Sequence, residues 1–135
     1  MDKNDGIAKI TINRHKFGNA FALNTYTEFE LAIEECEADE SIKVVVVTGE
    51  GKNFSAGGDI NNFKKCTDDR ESLPKAGVLA AWAMSDAVKR CPKPVPAIIN
   101  GAVASAGCSL AFACDFKVMA PKSKLVMAFI NMGYC

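Results

Sequence analysis

The stretch Val44-Val-Val-Val-Thr-Gly-Glu-Gly-Lys-Asn-Phe-Ser-Ala-Gly-Gly-Asp-Ile60 decides the fold class of this 135-residue chain. Its four consecutive β-branched residues predict a strand that is buried on both faces, as in a parallel sheet. The segment that follows, residues 51–60, combines three glycines with small side chains. Glycine allows the backbone to approach a neighbour or a ligand closely. The stretch therefore predicts a buried strand that leads into a turn whose backbone contacts something.

The rest of the chain alternates strand-like and helix-like segments. Strands are predicted at residues 7–13, 44–47, 96–100, 115–119 and 124–127, and helices at residues 26–38, 75–90 and 110–114, with a short helix possible at 60–65. A capping box of Thr25 and Glu28 is expected to begin the first helix. The order of elements predicts an α/β architecture with crossover connections. No linker divides the chain, so residues 1–135 are expected to form a single domain.

Helical spacing of apolar residues predicts which side chains face the core. The expected inward positions are Tyr26, Phe29, Ile33 and Cys36 in the first helix, and Val78, Leu79, Trp82 and Val88 in the second.

Composition excludes several classes of function. The chain has 16 basic and 16 acidic residues, so its total charge does not favour binding to nucleic acid or to a membrane surface. Six cysteines occur without a C-x-x-C pair and beside a single histidine, so no metal site is expected. No secretory signal or membrane-spanning run is recognised. A cytoplasmic location with reduced thiols is expected.

Two junctions, residues 44–60 and 96–110, share the pattern of a strand, a turn of small residues and a helix. The first lacks the third glycine of the dinucleotide-binding fingerprint and the serine or threonine of the P-loop. The second, Val103-Ala-Ser105-Ala-Gly107, nearly matches the turn that carries a serine nucleophile. The only histidine, His15, lies upstream of that serine, against the usual order. A serine hydrolase is therefore kept only as a weaker alternative.

A third interpretation fits both junctions. Each could aim a backbone N–H at one carbonyl oxygen, which together would form an oxyanion hole. Small residues are needed there because a larger side chain would hold the ligand away from the amides. Ala106 would gain further from the positive end of a helix dipole. The competing interpretation is that small residues only permit close packing of helix and sheet.

The sequence resembles the N-terminal half of the enoyl-CoA hydratase/isomerase (crotonase) family, and the resemblance extends along nearly the whole chain. The resemblance is carried by five motifs: Asn13-Arg14 with Asn19-Ala20, Val44–Gly49, Phe54–Ile60, Lys93–Gly101, and Ala106–Ala111 followed by Cys114-Asp115. It implies a ββα-spiral fold that would lack the C-terminal helical part. It also implies an enzyme of the lyase or isomerase class that acts in fatty acid metabolism.

The resemblance assigns roles to particular residues. Gly58 and Ala106 would supply the oxyanion-hole amides that polarise an acyl-CoA thioester carbonyl and stabilise an enolate. Coenzyme A enters as part of the substrate, so no separate cofactor is implied, and a homotrimer or hexamer is expected. The residues expected to contact CoA and substrate are Lys16, Ala56, Gly58, Asp59, Ile60 and Asn61. Asp59 is expected to hydrogen-bond its own turn rather than to act as a base.

The chain departs from the family at the two catalytic glutamates. Ser109 and Phe129 stand where hydratases carry them, and isomerases generally keep the second. Neither residue is a useful proton-transfer group at neutral pH. Ordinary hydration is therefore not expected. Decarboxylation or thioester hydrolysis is expected instead, with catalytic groups from the 66–74 loop or from a C-terminal half. The alternative is a non-catalytic or truncated module for CoA binding or assembly.

Overall fold

The computed structural model describes residues 1–59 and 75–127. The predicted short helix at 60–65, the loop at 66–74 and the positions Ile60, Asn61 and Phe129 lie outside these residues. The described elements are β1 Asp2–Asn4, β2 Ile7–Ile12, a 3₁₀ turn His15–Phe17, α1 Leu23–Ala38, β3 Val44–Gly49, β4 Asn53–Ser55, α2 Lys75–Arg90, β5 Pro96–Ile99, β6 Ala102–Ala104, α3 Ala106–Ala113, β7 Phe116–Met119 and β8 Leu125–Val126.

These strands form two sheets. A five-stranded sheet has the order β1-β2-β3-β5-β7, and a three-stranded sheet has the order β4-β6-β8. All pairings are parallel except that of β1 with β2. The α/β prediction is confirmed, because each crossover returns the chain to a parallel neighbour. From β3 onwards, successive strands alternate between the two sheets: odd-numbered strands join the larger sheet and even-numbered strands join the smaller one.

The core lies on one face of the larger sheet. Val45 and Val47 of β3 are fully buried, whereas Val44 and Val46 are only partly covered. The prediction that this strand is buried on both faces is therefore only half correct. The other face of the strand is only partly covered by the described residues. The four valines therefore belong to a sheet that has a complete packing layer on one face.

Helix α1 confirms its predicted inward face but not its predicted start. Its buried residues are Tyr26, Phe29, Ile33 and Cys36. The helix begins at Leu23, three residues before the predicted start, and the predicted capping box of Thr25 with Glu28 is wrong. The Thr25 Oγ1 instead accepts the Ala22 N–H at 3.2 Å, so Thr25 occupies the third helical position and not the cap. The Glu28 carboxylate accepts from Asn24 at 3.4 Å.

Helix α2 has the predicted bounds, but three of its four predicted inward residues are wrong. Val88 is buried, together with Met84. Val78, Leu79 and Trp82 are 55%, 62% and 65% exposed. Ala80 and Ala81 are the residues of this part of the helix that pack against the core, so the described residues cover a different face of α2 from the predicted one.

The smaller sheet was not predicted in full, and glycines explain how it approaches the larger one. Its strands β4 and β6 have three residues each, too few for a periodic signal. A Cβ atom at Gly101 would lie 1.7 Å from the Lys52 carbonyl oxygen, and one at Gly49 would lie 2.3 Å from that of Asn53. Only glycine permits these crossings. The backbone approach predicted for this region thus serves packing in part.

Candidate functional site

The two glycine-rich turns meet at Gly57 and Ala106. Gly57 is buried and has φ +89°. A Cβ atom there would lie 2.7 Å from the Ala104 carbonyl oxygen and 3.2 Å from the Ala106 nitrogen. The first turn therefore lies directly against the start of α3, as the oxyanion-hole hypothesis requires.

Gly58 is held by hydrogen bonds to the residues on either side of it. The Phe21 N–H donates to the Gly57 carbonyl at 2.7 Å, and the Asp59 N–H donates to the Phe21 carbonyl at 3.0 Å. Phe21 and Gly58 thus form an isolated parallel bridge. The bridge uses neither polar group of Gly58 itself. Among the hydrogen bonds of residues 1–59 and 75–127, the Gly58 N–H has no acceptor.

The carboxylate of Asp59 is engaged by Arg14. Both terminal nitrogens of Arg14 lie 3.4 Å from Asp59 Oδ2, and Nη1 also donates to the Ala20 carbonyl at 2.6 Å. The guanidinium stacks 4.8 Å from the centre of the Phe17 ring. Arg14, which belongs to the first of the five motifs, therefore anchors the turn that contains Gly58. Asp59 was expected to hydrogen-bond its own turn rather than to act as a base, and the ion pair with Arg14 is a contact that this prediction did not include.

Asn19 joins the N-terminal loop to the first turn. It is fully buried at φ +60°, a conformation that asparagine tolerates. Its Nδ2 donates to the carbonyls of Glu50 and Asn53 at 2.9 and 2.8 Å, and its Oδ1 accepts the Arg14 N–H at 2.8 Å. All polar atoms of this buried side chain are thereby satisfied.

Two further side chains complete the support of the first turn. The Ser55 hydroxyl donates to the Asn19 carbonyl at 2.9 Å and accepts the Gly57 N–H at 3.1 Å. Asn100 donates to the carbonyls of Gly51 and Asn53 at 2.9 and 3.2 Å, and its Oδ1 accepts the N–H of Gly49. The polar residues of the family motifs are therefore structural here.

The second turn gives Ala106 its place. Ser105 caps α3 at φ +50°, ψ −117°, and its carbonyl accepts from Cys108 and Ser109. Ala106 is thus the first helical residue, not part of a turn ahead of the predicted start at residue 110. Its N–H points out of the helix end and has no acceptor among the described residues. A Cβ atom at Gly107 would lie 2.9 Å from that of Ser55, which ties α3 to the first turn.

Of the features that a serine nucleophile needs, the described residues show the backbone conformation but not the histidine. Ser105 has the strained positive φ of such a turn and is 5% exposed. Among the described hydrogen bonds, its hydroxyl meets no histidine. His15 contacts Asn13 at 3.3 Å instead. It lines an open cleft of about 350 Å³ with Asn19 and residues 50–53.

The remaining predicted site residues differ in how far they are exposed to solvent. Ala56 is exposed, Gly58 and Asp59 are partly buried, and Lys16 is exposed on the 3₁₀ turn. Ser109 is partly buried in the first turn of α3. Burial raises the pKa of the Cys108 thiol, which contacts the Val103 carbonyl at 3.4 Å. That thiol is therefore a neutral core group.

The described residues hold neither a cluster of metal-ligand side chains nor a membrane-spanning helix. Within 1–59 and 75–127 no three side chains of His, Cys, Asp or Glu group together as metal ligands would. No described helix has the length and apolar character needed to cross a membrane.

Comparison with known proteins decides the family. The family model for enoyl-CoA hydratase/isomerase matches residues 2–135. The chain belongs to the enoyl-CoA hydratase/isomerase family. The family resemblance and the crotonase-like fold predicted from the motifs are thereby confirmed.

Individual relatives agree with this membership. The chain is 34% identical over 131 residues to the trans-2-decenoyl-[acyl-carrier-protein] isomerase of Streptococcus mutans, covering 96% of this chain and 49% of that one. It is 31% identical over 131 residues to the 1,2-epoxyphenylacetyl-CoA isomerase of Escherichia coli, covering 95% and 49%. The chain therefore spans about half the length of these relatives.

Solved structures agree with the fold. An enoyl-CoA hydratase from Polaromonas sp. JS666 superposes with a TM-score of 0.89 at 32% identity, covering 98% of this chain and 52% of that one. A putative family protein from Hyphomonas neptunium gives a TM-score of 0.91 at 26% identity, with 99% and 51% covered.

Proposed function

We propose that this chain carries the carbonyl-binding centre of an acyl-CoA enzyme. In this proposal the N–H groups of Gly58 and Ala106 both donate to the oxygen of a thioester carbonyl. The carrying observation is the contact between Gly57 and the start of α3, which brings together two N–H groups that have no described acceptor. Family membership and the names of the relatives support an acyl thioester as the ligand.

The chemistry that follows is stabilisation of an enolate. Removing a proton or a carboxyl group next to the thioester moves negative charge onto the carbonyl oxygen. Fixed amide donors at that oxygen are worth about 3–4 kcal/mol each in the transition state. The Ala106 N–H adds the dipole of α3. Arg14, Asn19 and Ser55 act as positioning residues, because they hold the first turn without meeting the carbonyl.

The proton-transfer group is proposed to lie elsewhere than on α3. The first turn of that helix reads Ala106-Gly-Cys-Ser109 and contains no carboxylate. Asp59 is engaged by Arg14. Ordinary hydration by a glutamate pair is therefore not proposed, and decarboxylation or thioester hydrolysis remains the leading reaction type. Cytoplasmic location stays a prediction from the cysteine pattern, and assembly into trimers or hexamers stays a prediction from the family resemblance.

Ser109 also supports a second candidate function. A module that binds acyl-CoA without converting it needs the two amides but no base. The two functions differ in what they do to a panel of acyl-CoA thioesters, β-carboxyacyl-CoAs included, followed by mass spectrometry. Decarboxylation or thioester hydrolysis yields an acyl-CoA lighter by carbon dioxide or free coenzyme A, whereas a binding module leaves every thioester unchanged.

The binding site itself is tested with Gly58→Pro, which deletes the donor N–H. The Phe21 bridge is formed by Gly57 and Asp59, so this substitution removes no hydrogen bond among the described residues. Gly58→Ala is the matched control because it adds a side chain but keeps the N–H. Calorimetry with acetoacetyl-CoA should give about tenfold to a hundredfold weaker binding for the proline variant than for the alanine variant. Equal affinities of two folded variants would refute the oxyanion assignment.

A further inference from the structure

Ser105 has a backbone conformation that its residue type rarely adopts. Its φ of +50° and ψ of −117° lie outside the helical and extended regions. The Ser105 N–H donates to the Val126 carbonyl at 2.9 Å, and the Ser105 carbonyl accepts from Cys108 at 2.9 Å. The conformation is therefore imposed by β8 and α3, which hold the backbone on both sides. Strain that is imposed in this way is concentrated at functional sites.

The Ser105 hydroxyl has no hydrogen-bond partner within residues 1–59 and 75–127, although the residue is only 5% exposed. The nearby buried Ser55 instead uses its hydroxyl to hold the first turn. Buried hydroxyls are ordinarily satisfied in this way. Among the described residues, Ser85 Oγ is the side-chain oxygen that lacks both a partner and solvent, so the Ser105 oxygen retains some contact with solvent. It is therefore available to a ligand that enters there.

The Ser105 side chain lies where the two turns meet. Ala106, which carries one amide of the proposed carbonyl-binding centre, directly follows it. A Cβ atom at Gly57 would lie 2.9 Å from the Ser105 Cβ and 3.2 Å from the Ala106 nitrogen. Gly58, the next residue, carries the second amide. In a nucleophile elbow the oxyanion hole likewise combines the N–H that follows the serine with one N–H from another loop.

We propose that Ser105 Oγ is the nucleophile that attacks the bound acyl-CoA thioester, which rests on the function proposed above. A bond forms between Oγ and the carbonyl carbon, the carbon–sulfur bond breaks, and the hydroxyl proton passes to the departing sulfur. The products are an acyl ester of Ser105 and coenzyme A as the free thiol. Water then cleaves the ester, returns a proton to Oγ and releases the carboxylic acid, so the sum of the two steps is thioester hydrolysis.

The two steps place different demands on the protein. A thiol is far more acidic than an alcohol, so the sulfur departs without a general acid and accepts the serine proton. Attack by water on the ester has no such help, because no described histidine or carboxylate hydrogen-bonds the Ser105 hydroxyl. His15 contacts Asn13 instead. Release of the acyl group should therefore be slower than its transfer, and the ester should accumulate.

Mass spectrometry of the intact 135-residue chain tests this after incubation with butyryl-CoA and then with excess dithiothreitol. The reductant removes acyl groups from the six cysteines by thiol–thioester exchange but leaves an oxygen ester in place. Wild type should retain one butyryl group, which peptide mapping should locate at Ser105. Ser105→Gly should lose it, and this variant should fold because glycine adopts positive φ without strain. Ser85→Ala is the matched control and should keep the group, since it also deletes a hydroxyl without a partner.

Calorimetry with acetoacetyl-CoA distinguishes loss of the nucleophile from loss of the carbonyl-binding centre. Ser105→Gly keeps the amides of Gly58 and Ala106, so it should bind as wild type does. A wild-type chain that binds acetoacetyl-CoA but forms no thiol-resistant ester would overturn the role of Ser105 and leave the oxyanion assignment intact. An ester that persists in Ser105→Gly would overturn that role as well. A chain that neither binds nor is acylated would refute both.

Discussion

Replacing Gly57 by alanine should damage the junction of the two turns more than any purely conformational effect can explain. Gly57 has φ +89°, and a left-handed backbone costs a non-glycine residue about 1–2 kcal/mol. The added methyl group would also lie 2.7 Å from the Ala104 carbonyl oxygen and 2.9 Å from the Ser105 Cβ. Both obstacles belong to a rigid turn rather than to a flexible side chain, so relief requires the turns to separate. Overpacking of this kind adds about 1–3 kcal/mol.

Two other glycines separate these contributions. Gly51 has φ +73°, but a methyl group there would meet only the His15 Cβ at 3.7 Å, an ordinary contact. Gly51→Ala should therefore cost only the conformational 1–2 kcal/mol, roughly. Gly77 lies in α2 with nothing within 4 Å, so Gly77→Ala should stabilise by about 0.5–1 kcal/mol.

Urea unfolding followed by circular dichroism measures all three variants. The expected order of stability is Gly77→Ala, wild type, Gly51→Ala and then Gly57→Ala, the last about 2–5 kcal/mol below wild type. Gly57→Ala should also lose acetoacetyl-CoA binding, whereas Gly51→Ala should keep it. A stability difference between Gly57→Ala and Gly51→Ala below about 0.5 kcal/mol would refute the close contact of the turns, since the clash alone is worth more.

Three further results are expected. Asn19→Asp should lower the free energy of unfolding by about 2–4 kcal/mol, because a carboxylate cannot donate to the two loop carbonyls; an unchanged urea midpoint would contradict this. Burial raises the pKa of Tyr26 and of the Cys114 thiol to about 12, so the stability they contribute below their unfolded pKa values should be lost as pH rises toward 12, and Tyr26→Phe should reduce this loss. Hydrogen bonding to Ser41, then to a lysine, lowers the pKa of Asp39 to about 2; its contribution should vanish as pH falls from about 4 through 2, and NMR titration of Ser41→Ala should show a higher Asp39 pKa.

The sequence predicted the layers of the fold better than it predicted their coverage. The inward residues of α1 are correct, because an amphipathic helix on a sheet needs only one face. The stripe of Val78, Leu79 and Trp82 has the same periodicity, yet it is exposed among the described residues. Periodicity reports that a side chain is apolar on one face, and it carries no information on whether a partner for that face is present.

The candidate site was predicted from residues that have little or no side chain. The polar side chains that hold its turns in place were not predicted. Small residues at Gly57 and Gly58 indicated a close backbone approach, and the contact with α3 agrees with that. The polar network of Asn19, Ser55 and Asn100 joins positions far apart in sequence, and no local pattern reveals such pairs. Only the family motifs marked these residues, and they did so without giving a physical role.

The carbonyl of Asn53 accepts two side-chain amides, one from Asn19 across 34 residues of sequence and one from Asn100 across 47. Both are non-local contacts, whose loop-closure entropy must be overcome before they add stability. The turn that presents Gly58 therefore cannot acquire its shape from its own ten residues. We expect this turn to order late in folding, after the N-terminal loop and the β5–β6 connection have both packed against it. A destabilised chain would then lose the proposed carbonyl-binding centre by local opening while its core sheet is still intact.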